Sequence, residues 1–200
     1  YWPSPWGNGR PGWHIECSTM SSLFYGDQFD IHCGGIDLRF PHHTNEIAQS
    51  QTRSGVVPWV KMWLHTGQLR AGGQKMSKST GNFWSIKDGL EKYDPQLIRM
   101  FFCQTQWQQV NELNDDKIEQ ARSALQRIQN FLQTSEVKLK TSISQLKRGY
   151  TEDDKKFEQE IVKANEGITA SFANNFDIPT SFVYINKLID EYYLVKDKIL

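Results

Sequence analysis

The sequence predicts an α/β domain followed by an all-α helical bundle. The first observation is that all seven tryptophans, all five histidines and all three cysteines lie at or before Trp107, together with twelve of the fourteen glycines and six of the seven prolines. The second is that the chain beyond residue 110 is polar, with apolar residues every three or four positions, the spacing of helices that bury one face. We therefore assign residues 1–110 to the α/β domain and residues 111–200 to the bundle.

Short apolar runs and glycine turns indicate alternating strands and helices in the first domain. Residues 29–32 predict a strand that ends in a tight turn at Gly34-Gly35, and Pro41 is placed to start a helix. Residues 60–69 predict a second strand, followed by a loop at Gly72-Gly73. Two short helices then follow, over residues 85–93 and 96–103, the second opened by Asp94-Pro95.

Three helices are predicted in the second domain. Asp177 and Pro179 supply a capping carboxylate and a first-turn proline for the last of them. A polar linker of residues 134–151 separates the first helix from the second. The predicted helices cover residues 115–134, 153–174 and 179–198.

The composition limits the classes of function. With 23 basic and 23 acidic residues the formal net charge is zero, so contact with nucleic acid requires a local patch. A hydrophobic content of 38% and an aromatic content of 12% exceed what a disordered chain carries. No apolar run approaches the roughly 20 residues of a membrane span, so no membrane partner is expected. Three widely spaced cysteines predict a reducing compartment, the cytoplasm.

One group of residues has the chemistry of a zinc site. In a helix that starts at Pro41, His42 and Glu46 are four residues apart and share a face. Cys17 could add a thiolate, and zinc accepts sulfur, nitrogen and oxygen ligands together. Spacing alone leaves other readings open, since a lone cysteine in an apolar segment is usually a core residue and a His/Glu pair is usually solvated.

Two glycine-associated segments suggest contacts with phosphate and sugar groups. Lys75-Met76-Ser77-Lys78-Ser79 could fold over a polyphosphate, with its ammonium groups stabilising a departing pyrophosphate, although an exposed basic loop is the common alternative. Gly34 and Gly35 would let the backbone approach a ligand, and Asp37 could accept hydrogen bonds from hydroxyls or an amine. A structural turn is the alternative for this second segment.

In combination, these segments resemble cysteinyl-tRNA synthetase, a class I aminoacyl-tRNA synthetase. The resemblance is carried by Trp13-His14-Ile15-Glu16-Cys17, Gly34-Gly35-Ile36-Asp37, Phe40-Pro41-His42-His43 and the loop from Lys75 to Ser79, in this order. It is dense over residues 2–99 and continues weakly into the helices, at residues 172–180.

The resemblance implies a Rossmann-type catalytic domain followed by a helical domain on the anticodon side of tRNA. It implies that L-cysteine is activated with ATP and Mg²⁺ and transferred to the tRNA for cysteine. Zinc would be held by Cys17, His42 and Glu46, with a further cysteine from a preceding half of the domain, and would select the substrate thiol.

The resemblance also assigns roles to single residues. Lys75 and Lys78 would be catalytic, stabilising the pyrophosphate leaving group. Substrate would be bound by Trp13, His32 and Asp37, of which His32 would lie near the metal and Asp37 would hold the amine or the ribose. Contacts to ATP would come from Gly34, Gly35, Asp37, Met76, Ser77 and Lys78.

Several points stay open at this stage. The chain lacks the family's N-terminal half, so we expect the isolated chain to be inactive and to bind zinc more weakly, with Cys33 as a possible substitute ligand. The basic cluster of the linker could contact phosphate or could simply be solvated; its members are Lys138, Lys140, Lys147 and Arg148. Two other functions remain, a cysteine-activating ligase for an amino-sugar acceptor and a non-catalytic RNA-binding or structural fragment.

Overall fold

A computed structural model of the chain describes residues 1–76, 85–143 and 149–199, without the side chains of residues 74, 75 and 141–143. The chain divides into two compact units, Tyr1–Gln68 and Leu69–Leu200. The sequence predicted a boundary between domains near residue 110. This is not the boundary between the two compact units, and it stays a prediction. Within the described ranges, no helix is both long enough and apolar enough to cross a membrane.

The first unit is built on a pair of parallel strands. Its elements are α1 (Trp13–Tyr25), β1 (Phe29–Gly35), α2 (Thr44–Ser54) and β2 (Val60–Thr66). β1 and β2 pair in parallel, with His32 opposite Trp63 and Gly34 opposite His65. Parallel strands require a crossover, which α2 supplies, and α1 packs against α2. The helix α1 was not predicted, because its residues lack a clear one-sided apolar stripe and include Leu23 and Phe24, which are exposed.

The connection from β1 to α2 differs from the sequence prediction in two ways. The strand does not turn at the glycines but continues through Gly35, because its ladder with β2 extends to Thr66. The helix does not start at Pro41. Phe40 has extended backbone angles, as the residue before a proline prefers, and so α2 begins only at Thr44. A short 3₁₀ turn and a wide turn cover Ile36–Leu38 and Arg39–His43.

A small three-stranded sheet opens the second unit. It contains β3 (Leu69–Ala71), β4 (Gln74–Lys75) and β5 (Asn111–Leu113), in the order β4-β3-β5. Gly72 and Gly73 have φ values of 62° and 74°, the left-handed conformation that a two-residue hairpin turn requires. The predicted loop at these glycines is therefore a hairpin turn. β5 pairs with β3 in parallel and was not predicted, since three residues carry too little pattern.

Two short helices, α3 (Ile86–Lys92) and α4 (Pro95–Cys103), confirm the predictions for this region. Ser85 and Asp88 form a reciprocal capping box at the start of α3. The carboxylate of Asp94 accepts a hydrogen bond from the amide of Gln96 and caps α4.

The remaining helices are α5 (Asp115–Ile143), α6 (Glu152–Ala173) and α7 (Ile178–Val195). The predicted end of the first helix at residue 134 is wrong, because the helix continues to Ile143 through a segment that contains no glycine or proline. Asp177 caps α7 through the amide of Thr180, as predicted. A side chain at Gly167 would lie 2.3 Å from the Tyr184 ring, so this glycine permits the close approach of α6 and α7.

The core of the second unit lies where α4 meets α5. Its buried members are Leu97, Met100, Phe101, Ile118 and Ala121. Since these side chains are well packed, Ile118→Val is expected to lower the free energy of unfolding by about 1 kcal/mol. The control is Ile86→Val at a side chain that is 83% exposed, for which a change below about 0.5 kcal/mol is expected. Urea unfolding of both variants checks this, and equal effects would contradict the assignment of the core.

Candidate functional site

Three side chains with metal-ligand chemistry converge in the first unit. Cys17 lies on α1, His42 in the wide turn before α2, and Glu46 in the first turn of α2. One ligand atom from each residue lies within 4.8 Å of the others. Cys17 reaches the other two because α1 packs on α2, so the tertiary structure brings together residues that the sequence separates by up to 29 positions.

The carboxylate of Glu46 is the centre of this group. Its side chain is fully buried, and Oε1 lies 2.8 Å from Nε2 of His42. Neither carboxylate oxygen has a hydrogen-bond partner among the described residues, so the short contact with His42 does not have hydrogen-bond geometry. Burial raises the pKa of Glu46 to about 7. A buried carboxylate without a partner is costly unless a cation neutralises it.

The other two donors are also affected by burial. Burial raises the pKa of the Cys17 thiol, and the carboxylates of Glu46 and Glu16 raise it further. Burial lowers the pKa of His42, with a smaller contribution from His14, which favours the neutral imidazole that a metal ion binds. Sulfur, imidazole nitrogen and carboxylate oxygen are the ligands that zinc prefers. The Glu46 oxygens, which accept no hydrogen bond from a described residue, fit such an ion.

A second group of three potential ligands shares Glu46. His32, His43 and Glu46 also bring one ligand atom each to within 4.8 Å of the others. Nε2 of His32 lies 3.7 Å from Oε2 of Glu46, and its buried Nδ1 has no hydrogen-bond partner in the described part of the chain. The structure therefore places His32 beside the predicted ligand set. His43 was missed, although the His42-His43 pair in the sequence could have indicated it.

Cys33 does not belong to either group. It follows His32 on β1, and consecutive side chains of a strand point to opposite faces. His32 points toward Glu46, and Cys33 is exposed. Neither three-residue group found among the described residues contains it.

Trp13 lies beside the potential ligands. Its indole ring is 4.5 Å from the His42 ring, measured between centroids, and is 60% exposed. A large, exposed apolar surface next to a metal centre can contact a bound small molecule.

A cavity of about 750 Å³ opens at the carboxyl ends of β1 and β2. Ligands of parallel sheets bind at this edge. The predicted Asp37 is part of its lining, and sequence reasoning missed the aromatic and basic residues beside it. The lining comprises Ile36, Asp37, Arg39, Phe40, His43, Thr44, Ile47, Trp63 and His65.

The predicted phosphate loop is only partly described. Met76 is half-buried, and its amide donates a hydrogen bond to the carbonyl of Leu69. The backbone of Lys75 belongs to β4, and its side chain lies outside the description, as do Ser77 and Lys78. In the predicted basic cluster, Lys140 forms an ion pair of 2.6 Å with Glu136, and residues 147 and 148 lie outside the described ranges.

Comparison with known proteins gives a family model described as "tRNA synthetases class I (C) catalytic domain", which matches residues 1–123. A cysteine–tRNA ligase of Thermococcus onnurineus is 52% identical over 136 residues, which are 68% of this chain and 28% of the relative. A cysteine–tRNA ligase of Metallosphaera sedula is 41% identical over 189 residues, or 94% of this chain and 40% of the relative. The chain thus spans roughly 30–40% of the length of such relatives.

Solved structures show the same fold at low sequence identity. A ternary complex of a LeuRS from Agrobacterium radiobacter K84 with tRNA and LeuAMS aligns with a TM-score of 0.66 at 17% identity, covering 84% of this chain and 23% of that one. A putative arginyl-tRNA synthetase of Campylobacter jejuni aligns with a TM-score of 0.60 at 13% identity, covering 95% and 44%. These likenesses confirm the predicted fold class, an α/β part with helices after it.

Proposed function

This chain belongs to the family of class I (C) tRNA synthetase catalytic domains, and on that premise we propose that it takes part in the ATP-dependent attachment of cysteine to its tRNA in the cytoplasm. The observation that carries the proposal is the convergence of a thiol, an imidazole and a buried carboxylate at Cys17, His42 and Glu46, the carboxylate having no hydrogen-bond partner among the described residues. A site of this kind suits recognition of an amino acid through its sulfur atom.

In this proposal Cys17, His42 and Glu46 hold a zinc ion. When bound, zinc supplies a Lewis acid that prefers a substrate thiolate to a serine hydroxyl. The protein contributes the fixed geometry of the donors, since each lies on or beside a helix of the packed α1–α2 pair. Trp13 and His32 border this position and line the cysteine pocket.

The nucleotide binds near the carboxyl ends of β1 and β2. The backbone of Gly34 and Gly35 and the carboxylate of Asp37 contact ATP, and Asp37 holds either its ribose or the amine of cysteine. Lys75 and Lys78 stabilise the charge on pyrophosphate, with Met76 and Ser77 beside them in the loop and Mg²⁺ accompanying the triphosphate.

The reaction has two steps in this proposal. A carboxylate oxygen of cysteine attacks the α-phosphorus of ATP, a new P–O bond forms, and the bond to pyrophosphate breaks. A hydroxyl of the terminal tRNA ribose then attacks the carbonyl carbon of the adenylate, and AMP leaves. The chain's residues act mainly by positioning the reactants and by stabilising charge.

The helices of residues 111–200 serve the anticodon side of tRNA in this proposal. The basic residues of the predicted linker would contact phosphate, although Lys140 is already paired with Glu136. A small amino-sugar acceptor would have no use for a helical bundle of this size, which makes tRNA the better-supported acceptor.

A hybrid enzyme tests the proposed function. The 136 matching residues of this chain replace their counterparts in the Thermococcus onnurineus relative, so that the test does not depend on the chain acting alone. We expect the hybrid to catalyse cysteine-dependent exchange of pyrophosphate into ATP and to charge tRNA, with serine giving no exchange. A hybrid that folds and lacks exchange, while the parent relative is active, would contradict the proposal.

A further inference from the structure

One position in the sheet of the first unit has no side chain of its own. On the face that carries His32 and Trp63, Gly34 lies directly opposite His65. Residues opposite each other in a parallel pair have side chains on the same face. The space beside the His65 ring is therefore empty of any β1 side chain.

The imidazole of His43 fills this space. A Cβ atom at Gly34 would lie 2.6 Å from Cε1 and 2.9 Å from Nε2 of the His43 ring, much closer than van der Waals contact allows. Nδ1 of His43 lies 2.9 Å from Nε2 of His65, a hydrogen-bond distance. The His43 side chain is only 3% exposed and also contacts the Trp63 ring, at 4.9 Å between centroids.

We propose that the missing side chain of Gly34 leaves a space, here called the socket, that the His43 ring fills. The His43–His65 hydrogen bond then holds the metal-ligating segment in place. His43 follows His42 directly and precedes Glu46 by three residues. Anchoring His43 to β1 and β2 therefore sets the position of both predicted ligands relative to the sheet. His43 and His65 are positioning residues, and this role rests on the metal site of the proposed function.

The socket gives Gly34 a role distinct from nucleotide binding. The side of Gly34 on which a Cβ would stand is covered by His43, so its lack of a side chain serves the histidine. The two roles are separable, because metal affinity can be measured without ATP.

The test compares zinc affinity of the purified chain and its variants by competition with a chromophoric chelator. Gly34→Ala is expected to weaken zinc binding about 10- to 100-fold, the usual effect of disturbing a group that supports a ligand. The control is Gly9→Ala, where an added Cβ meets no atom within 4 Å and the backbone is not left-handed, and no change is expected. A folded Gly34→Ala variant with wild-type affinity would overturn the proposal.

A double-mutant cycle separates the socket from a general disturbance. With His43→Ala already present, the added methyl group of Gly34→Ala comes closest to Cδ1 of Leu38, at 3.2 Å, a contact that a shift of a few tenths of an ångström in that side chain relieves. It is therefore expected to cost less than about 3-fold in affinity. If Gly34→Ala lowers zinc affinity by the same factor with and without His43→Ala, the socket is refuted. If Gly34→Ala does not fold, His65→Phe decides, because it keeps a ring against Trp63 and removes the hydrogen bond; unchanged zinc affinity would then overturn the positioning role.

An NMR measurement tests the His43–His65 hydrogen bond separately from zinc binding. In the metal-free chain labelled with ¹⁵N, a scalar coupling across the N–H···N hydrogen bond is expected between His43 and His65, and it should vanish in His65→Phe. If the wild-type chain binds no zinc, the positioning role falls together with the metal site. The scalar coupling then still decides whether His43 lies in the socket and is hydrogen-bonded to His65. If the coupling is absent, this arrangement is refuted as well.

Discussion

Replacing Cys17 with alanine is expected to lower the zinc affinity of the chain by more than about 100-fold. Loss of an outer-shell partner of a metal ligand already costs about 10- to 100-fold, and Cys17 supplies the only sulfur in the converging group. The remaining donors, His42 and Glu46, give an incomplete site for an ion that favours four ligands. Chelator competition at pH 7.5 measures the affinity, and metal analysis of the purified variant measures the zinc content.

Cys33→Ala is the matched control for this prediction. Cys33 is exposed and follows His32 on the strand, so it faces away from the carboxylate of Glu46. We expect its replacement to change zinc affinity by less than about 3-fold, well below the effect expected for a ligand. Tight zinc that survives Cys17→Ala and is lost in Cys33→Ala would show that the ligand set is wrong and that the substitute ligand considered from the sequence is used.

Glu46→Gln is expected to change how the stability of the metal-free chain depends on pH. The carboxyl of Glu46 has a pKa of about 7 in the folded chain, raised by burial from an ordinary value of 4.5. Between these two pH values the folded chain holds a proton that the unfolded chain has released. Raising the pH from 4.5 to 7 therefore removes stability, by about 3 kcal/mol in total. Glutamine cannot ionise, so the variant lacks this loss.

Burial of the histidines changes the free energy of unfolding with pH in the opposite direction. Their contribution must therefore cancel in the comparison of variant and wild type. Burial lowers the pKa of His43 to about 4, so its neutral form is favoured by folding and stability rises with pH up to about 6.5. His43 is present in both the wild type and Glu46→Gln, so its own contribution cancels in the difference between the two.

Urea unfolding at pH 5 and pH 7.5, in the presence of a chelator, tests this prediction. The unfolding free energy of Glu46→Gln relative to the wild type should rise by about 2 kcal/mol between the two pH values, because the unfolded carboxyl is still partly protonated at pH 5. Glu16→Gln, at an exposed carboxylate on α1, is the matched control. If the two variants behave alike, the Glu46 carboxyl is not buried in the way that the proposed metal centre requires.

Local signals in the sequence predicted the helices of the second unit well. Asp94 and Asp177 were identified as caps because each is a carboxylate followed closely by a proline. The carboxylate accepts a hydrogen bond from a free backbone N–H of the first turn, and the proline favours the start of a helix. Apolar residues at helical spacing located α6 and α7 to within a few residues. The far end of α5 was missed since no breaking residue or apolar stripe marks it, and the helix extends to Ile143.

The sequence by itself determined the helix caps, the helical periodicity and the identity of the ligand-type side chains at Cys17, His42 and Glu46. Only the tertiary structure decided that these three meet and that the Glu46 carboxylate is buried with no hydrogen-bond partner among the described residues. It also decided that His43 fills the gap over Gly34 to reach His65. The physical reason is the range of the interactions. Caps and periodicity depend on neighbours a few residues away, whereas burial and the pairing of β1 with β2 depend on segments about 30 residues apart.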